Sequence, residues 1–166
     1  MNIHRSMKSH RKRRASRKRR AASRFPDDYL PYLAARASHV ILREFHALLP
    51  PRRMRVPEWR VLATLSAGGG YTVGALARAT FFKQPTLSKL LDRLEKKGLV
   101  RRVAGDMDLR HSRVELTPKG RARIGPIVAQ ARRHEKRALK KFRARDIQAL
   151  KRLLRAFTDG FERKAG

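Results

Sequence analysis

Leu87, Leu90, Leu91 and Leu94 recur at i, i+3, i+4 and i+7, which places them in one apolar stripe on a helix, and Gly98 ends the pattern as a C-cap. The helix is expected over roughly 84–97. Two short segments of strand character follow, 99–103 and 112–116, around the polar loop 104–111, and together they read as a β-hairpin. A striped helix joined to a single hairpin cannot cover its own leucines, so other helices must. Upstream, Pro57 opens a short helix to about Ser66 with Trp59, Val61, Leu62 and Leu65 as its apolar residues, and Gly68-Gly69-Gly70 stops it. Thr72 is placed to cap a third helix that turns Val73, Leu76 and Ala77 inward, and Thr80, Phe81 and Phe82 form the turn into the leucine helix. Two short helices, a tight turn, an amphipathic helix and a hairpin make a helix-turn-helix with a strand pair behind it.

The flanks are helical. Phe25-Pro26-Asp27-Asp28 resembles a helix start with acids in the first turn, followed at helical spacing by Leu30, Leu33, Ala34, Ala37, Ile41, Phe45 and Leu48, with Pro50-Pro51 as the stop. Thr117-Pro118 opens a long helical stretch to about Arg143, with Pro126 as a possible point of kinking. Asp146 is expected to cap a last helix through Phe161 whose stripe is Ile147, Leu150, Leu153, Leu154 and Phe157. The fold class expected is mainly α with a small β-hairpin wing (α+β). Four parts are expected: 1–24, 25–55, 56–116 and 117–166.

Charge narrows the partner. The chain has 43 Lys and Arg against 13 Asp and Glu, a formal net of +30. Residues 1–24 hold eleven of these cations and no acid, with almost no large apolar side chain, and read as a disordered basic arm. Nucleic acid is the polyanion that such a balance suits, because each phosphate neutralised releases condensed counterions. No apolar run is long enough for a membrane span, and the basic start lacks the apolar core of a signal peptide. The expectation is a cytoplasmic protein at the nucleoid, with no membrane partner. No cysteine is present, which excludes disulfides, thiolate metal sites and thiol redox switching. The six histidines offer only the adjacent pair His134-Glu135, which points in two directions on a helix, so neither a metal nor another cofactor is expected. No nucleophile elbow, phosphate loop or carboxylate dyad is present, and the chain is not expected to be an enzyme.

On the leucine helix Gln84, Thr86, Ser88, Lys89 and Arg93 lie off the apolar stripe, and these residue types hydrogen-bond base edges and phosphates. By itself that row reads first as a solvated helix face. A basic loop directly behind the helix favours DNA: Arg110 can enter a narrow minor groove, with Asp108 holding its guanidinium, and Arg101, Arg102 and Arg113 flank it.

The stretches Pro57-Glu58-Trp59-Arg60-Val61-Leu62, then Leu87 through Val100, and Asp108-Leu109-Arg110 running into Val114-Glu115-Leu116-Thr117-Pro118-Lys119-Gly120 resemble the multiple-antibiotic-resistance regulator (MarR) family in order and spacing, from about Tyr29 to Phe161. The resemblance implies a winged helix-turn-helix homodimer that binds double-stranded DNA at an inverted repeat, usually as a repressor. In that reading, 25–55 and 117–166 supply the dimerisation helices. The start of the fourth helix reads the major groove, and Asp108 with Arg110 addresses the minor groove. Pro85 and the Phe81-Phe82 pair depart from the commoner sequences there. The resemblance also implies a small-molecule effector. Arg36, His39, Arg43 and His46 share one face of the first helix, and Trp59 could wall the same cleft, which suits an aromatic carboxylate or a coenzyme A thioester. The alternative is an architectural nucleoid or RNA-associated protein that binds by charge alone.

Overall fold

The computed structural model describes residues 25, 27–103 and 112–162. Two compact units divide the chain, residues 1–44 and residues 45–166.

The first unit contributes most of α1 (Leu30–His46). This helix starts later than the Phe25 expectation, with Asp27 and Asp28 in a turn ahead of it. Pro31 explains the start: its missing N–H and fixed φ suit the first turn of a helix. Along α1, Leu30, Leu33, Val40, Ile41 and Leu42 are exposed.

The second unit is built on α2 (Val56–Leu65), β1 (Tyr71–Thr72), α3 (Val73–Thr80), α4 (Gln84–Lys96), β2 (Val100–Val103), β3 (Arg113–Leu116), α5 (Pro118–Ala138) and α6 (Ala144–Glu162). The apolar residues expected to face inward do so. Val61, Leu62, Leu65, Leu76, Ala77, Leu87, Leu90, Leu91 and Leu94 join Leu99, Val100, Val114, Leu116, Ile124 and Ile127 in one buried core. The sheet has three antiparallel strands in the order β1-β3-β2, with Tyr71 opposite Val114 and Arg102 opposite Val114 on the other side. Its third strand was not expected, because Tyr71–Thr72 is two residues long and Thr72 also caps α3, its hydroxyl accepting from the Ala75 N–H at 3.2 Å. Gly68, Gly69 and Gly70 all take positive φ, which only glycine adopts without strain, and so turn the chain from α2 into β1.

Thr117 ties the hairpin to α5. Its hydroxyl accepts from the Gly120 N–H at 2.9 Å and donates to the Gly98 carbonyl at 2.6 Å. A Cβ on Gly120 would stand 2.0 Å from the Leu99 carbonyl oxygen, so the first turn of α5 lies directly on the root of the wing. Pro126 sits inside an unbroken α5. That helix stops at Ala138 rather than near Arg143. The Lys140 N–H bonds back to Arg137 and the Phe142 N–H to Leu139, tightening the chain before α6 begins at Ala144. Asp146 therefore lies in the first turn of α6 and does not cap it. Leu150, Leu153, Leu154, Phe157 and Phe161 form an exposed row along α6.

Candidate nucleic-acid interface

Burial of the four leucines decides which side of α4 meets solvent. Gln84, Pro85, Thr86, Lys89 and Arg93 are exposed, and Ser88 is half-buried. Lys83 stands in extended conformation at the N-cap, and Pro85 takes the first turn, where the absent N–H costs nothing. Gly74 leaves room for Gln84: a Cβ there would come within 3.2 Å of the Gln84 amide nitrogen.

The turn between α3 and α4 is held firmly. Phe81 adopts φ 56°, a left-handed conformation uncommon for a bulky residue, and its ring is exposed. Beneath it the Thr80 hydroxyl is fully buried and donates to Leu76 at 2.6 Å. Arg60 donates to the Thr80 carbonyl at 3.3 Å and stacks over the Phe82 ring, 5.2 Å from its centre. The N-terminal end of α4 therefore has a fixed direction.

Two cations, Arg102 and Lys97, fix the other end through ion pairs that were not foreseen. Arg102 on β2 donates to Asp92 at 2.6 Å and to Glu95, and its backbone N–H reaches Glu95 at 3.1 Å. The hydrogen bond that Arg102 donates to Asp92 is the largest cause that raises the Arg102 pKa above its ordinary value. Both acids of α4 are thus engaged from the wing, leaving its outward side to cations and neutral polar groups. The second pair joins Glu58, 7% exposed at the start of α2, to Lys97 at 2.5 Å. The Arg55 N–H also donates to Glu58, at 3.1 Å. Burial pushes the Glu58 carboxyl up, but the Lys97 and Arg55 bonds outweigh it and hold the group below its usual range. The residues of both are visible in the sequence, but only the Glu58 pattern points to its partner. Acids three residues apart precede an arginine on the following strand, and a glutamate at the third helical position is placed to bond the cap.

The wing positions are only partly described. Asp108 and Arg110 lie outside the described residues. Arg113 is exposed on β3, and its guanidinium donates to the Gly69 carbonyl at 3.0 Å, which braces the glycine turn. Arg101 pairs across the hairpin with Glu115 at 3.2 Å.

The effector candidates fall in both units. Arg36, His39 and Arg43 are exposed on α1, on one face by their spacing. Trp59 is half-buried in the second unit, its ring packed on Phe45 at 5.0 Å. Also within the second unit, a groove of about 870 Å3 is lined by His46, Arg53, Arg55, Arg93 and Lys97 over Leu49, Met54 and Leu90. Burial lowers the pKa of His46, and Arg60 adds to the shift. Among the described residues there is no cluster of histidines and acids able to hold a metal ion, and no helix is long and apolar enough to cross a membrane.

A model described as the MarR family matches residues 53–111. The HTH-type transcriptional regulator TtmR of Methylorubrum extorquens is 33% identical over 101 residues, 61% of this chain and 52% of that protein, so the chain spans about half of TtmR. The MarR family transcriptional regulator SPO1453 of Silicibacter pomeroyi DSS-3 is 37% identical with a TM-score of 0.72, over 84% of this chain and 99% of that one. The transcriptional repressor CouR, solved on a 23-mer DNA duplex, is 27% identical with a TM-score of 0.66, over 80% of this chain and 94% of that one.

Proposed function

The chain belongs to the MarR family of transcription regulators, and on that premise we propose that it is a homodimeric repressor of the cytoplasm, bound at an inverted-repeat operator on the chromosome and released by a small aromatic acid or its coenzyme A thioester. The observation that carries the DNA reading is the exposed row Gln84, Thr86, Lys89 and Arg93 on a helix whose two acids are taken up by Arg102. A helix so arranged can enter a major groove without carboxylates facing phosphate. CouR, a relative with the same fold, was solved on DNA. Asp108 and Arg110 are assigned to the minor groove, with Arg113 bracing the wing behind them. The apolar rows on α1 and α6 support the dimer, since both rows are exposed among the described residues. For the effector, the exposed row Arg36, His39 and Arg43 on α1 offers charge to an aromatic carboxylate, and within the second unit the half-buried ring of Trp59 and the cationic rim of the groove offer the same chemistry. A ligand releases DNA only by binding the incompetent arrangement better; a tenfold release requires a difference of about 1.4 kcal/mol.

Selection of binding sites from a random DNA pool with purified protein tests the reading. The expected product is an inverted repeat with half-sites about one helical turn apart. Lys89→Ala and Arg110→Ala should each weaken that site by about 1–3 kcal/mol. A pool that converges on no sequence overturns the operator reading in favour of electrostatic binding alone. Arg43→Ala should keep DNA binding and lose the response to aromatic carboxylates; an unchanged response removes that residue from the effector site.

A further inference from the structure

The corner where α5 passes into α6 is the most cationic described surface, and operator recognition by α4 and the wing makes no use of it. Between residues 132 and 145 stand Arg132, Arg133, Lys136, Arg137, Lys140, Lys141, Arg143 and Arg145, every one exposed. The only acid in that span, Glu135, is held by Lys151 at 2.8 Å, and Arg145 pairs with Asp146 at 3.3 Å. Helical spacing gathers Arg132, Arg133, Lys136 and Arg137 on one side of α5, where like charges four apart repel. Lys136 and Arg137 gain something from the helix C-terminus, whereas Arg143 and Arg145 flank a helix start, where the dipole disfavours cations. Local stability therefore does not account for the cluster.

We infer that this corner binds the phosphate backbone of a second DNA duplex, so that the protein bridges two segments. Between Gly120, packed at the root of the wing, and Lys136, α5 rises about 24 Å. The corner is thus a separate surface from α4. From Arg132 to Ala138 α5 rises about 9 Å, over which a duplex presents about five charges, comparable with the four cations Arg132, Arg133, Lys136 and Arg137 there. Phe142 is the one exposed ring among these residues, not the row of rings on which single strands stack. Double-stranded backbone is therefore the occupant the chemistry favours.

The test uses the full chain loaded to saturation on an immobilised short duplex and washed, with a second, fluorescent duplex of random sequence then added. The parent is expected to retain the second duplex. A variant with Arg133→Glu, Lys136→Glu, Arg137→Glu and Lys140→Glu is expected to load equally on the first duplex and retain about tenfold less of the second or worse, with the salt slope of that capture smaller by about three to four. The same four positions changed to glutamine should show the same direction at an unchanged melting temperature, which excludes a folding defect. Capture by the variants equal to that of the parent, or no capture by the parent, overturns the inference. So does displacement of the second duplex by single strands or anionic vesicles at equal phosphate. The operator reading fails separately, in the site selection above, and second-duplex capture does not depend on its outcome.

Discussion

In residues 56–116 eleven cations share six acids, whereas in residues 117–166 sixteen share four. The winged lobe uses its acids to fasten parts together: Arg102 joins β2 to α4, Lys97 joins α4 to α2, and Arg101 joins β2 to β3. Its apolar residues are likewise used up in one core. The C-terminal helices do less of both: Glu135 on α5 pairs with Lys151 on α6, and Ile124 and Ile127 are their large apolar residues buried in the core. Beyond Ile127 the apolar row of α6 faces outward, and so do most of the cations. A lobe that closes on itself can present α4 in one orientation to any DNA it meets. Helices left open on two counts fit partners from outside the chain, an apolar one for the row and an anionic one for the corner.

Breaking the open side should have the largest effect. The double substitution Leu153→Asp and Phe157→Asp places charges in the exposed row of α6 and touches nothing in the core. The expected outcome is a monomer by sedimentation, with operator affinity reduced by about a hundredfold or more, because two half-sites are no longer engaged together. The lobe should keep its fold. A variant that remains dimeric, or a parent that is monomeric, would show that the row is not the dimer face.

The closed side is broken at Gly120. Alanine there forces a Cβ against the Leu99 carbonyl, so Gly120→Ala should cost about 2–3 kcal/mol in chemical denaturation. Gly125 lies five residues later on the same helix, and a Cβ there meets nothing within 4 Å. Gly125→Ala should be neutral or stabilising by up to about 1 kcal/mol, from helix propensity alone. Equal effects at the two glycines would erase the distinction between the packed start of α5 and its open continuation.

What the sequence revealed follows the same division. Periodicity and caps predict the lobe well, since Leu87 to Leu94, Thr72, Thr117 and Gly98 each act through neighbours a few residues away. Tyr71–Thr72 could not be read as a strand because its partners, Val114 and Arg113, lie some forty residues on and impose the pairing. The break at Ala138 was hidden because Leu139, Lys140 and Lys141 are all good helix formers, and the turn has neither glycine nor proline. At the interface the row on α4 was legible from its leucines. The Arg102 clamp was not, because Arg102 reads as one more basic wing residue until β2 is set beside α4.

The smallest expected effect concerns Glu58, the one buried acid among the described residues of the lobe, and it separates a fastening pair from a merely surface one. Its folded pKa lies below its ordinary 4.5, so its charged form stabilises the fold. That contribution is complete above the unfolded value, declines as pH falls from there through the lowered folded value, and is absent below both. Glu58→Gln keeps the shape and one acceptor but removes the charge, and should cost about 1–2 kcal/mol near neutral pH. Lys97 is 56% exposed, so water screens its end of the pair, and Lys97→Met should cost less than Glu58→Gln. For comparison, Glu135→Gln breaks the more exposed pair with Lys151 and should be nearly silent. Denaturation of parent and Glu58→Gln across pH 7 to 3 gives the check. The two curves should converge on the acid side of the ordinary carboxylate pKa and run parallel above it. Curves that coincide already at neutral pH would mean that the fastening between α2 and α4 comes from packing of the side chain, which glutamine keeps, rather than from its charge.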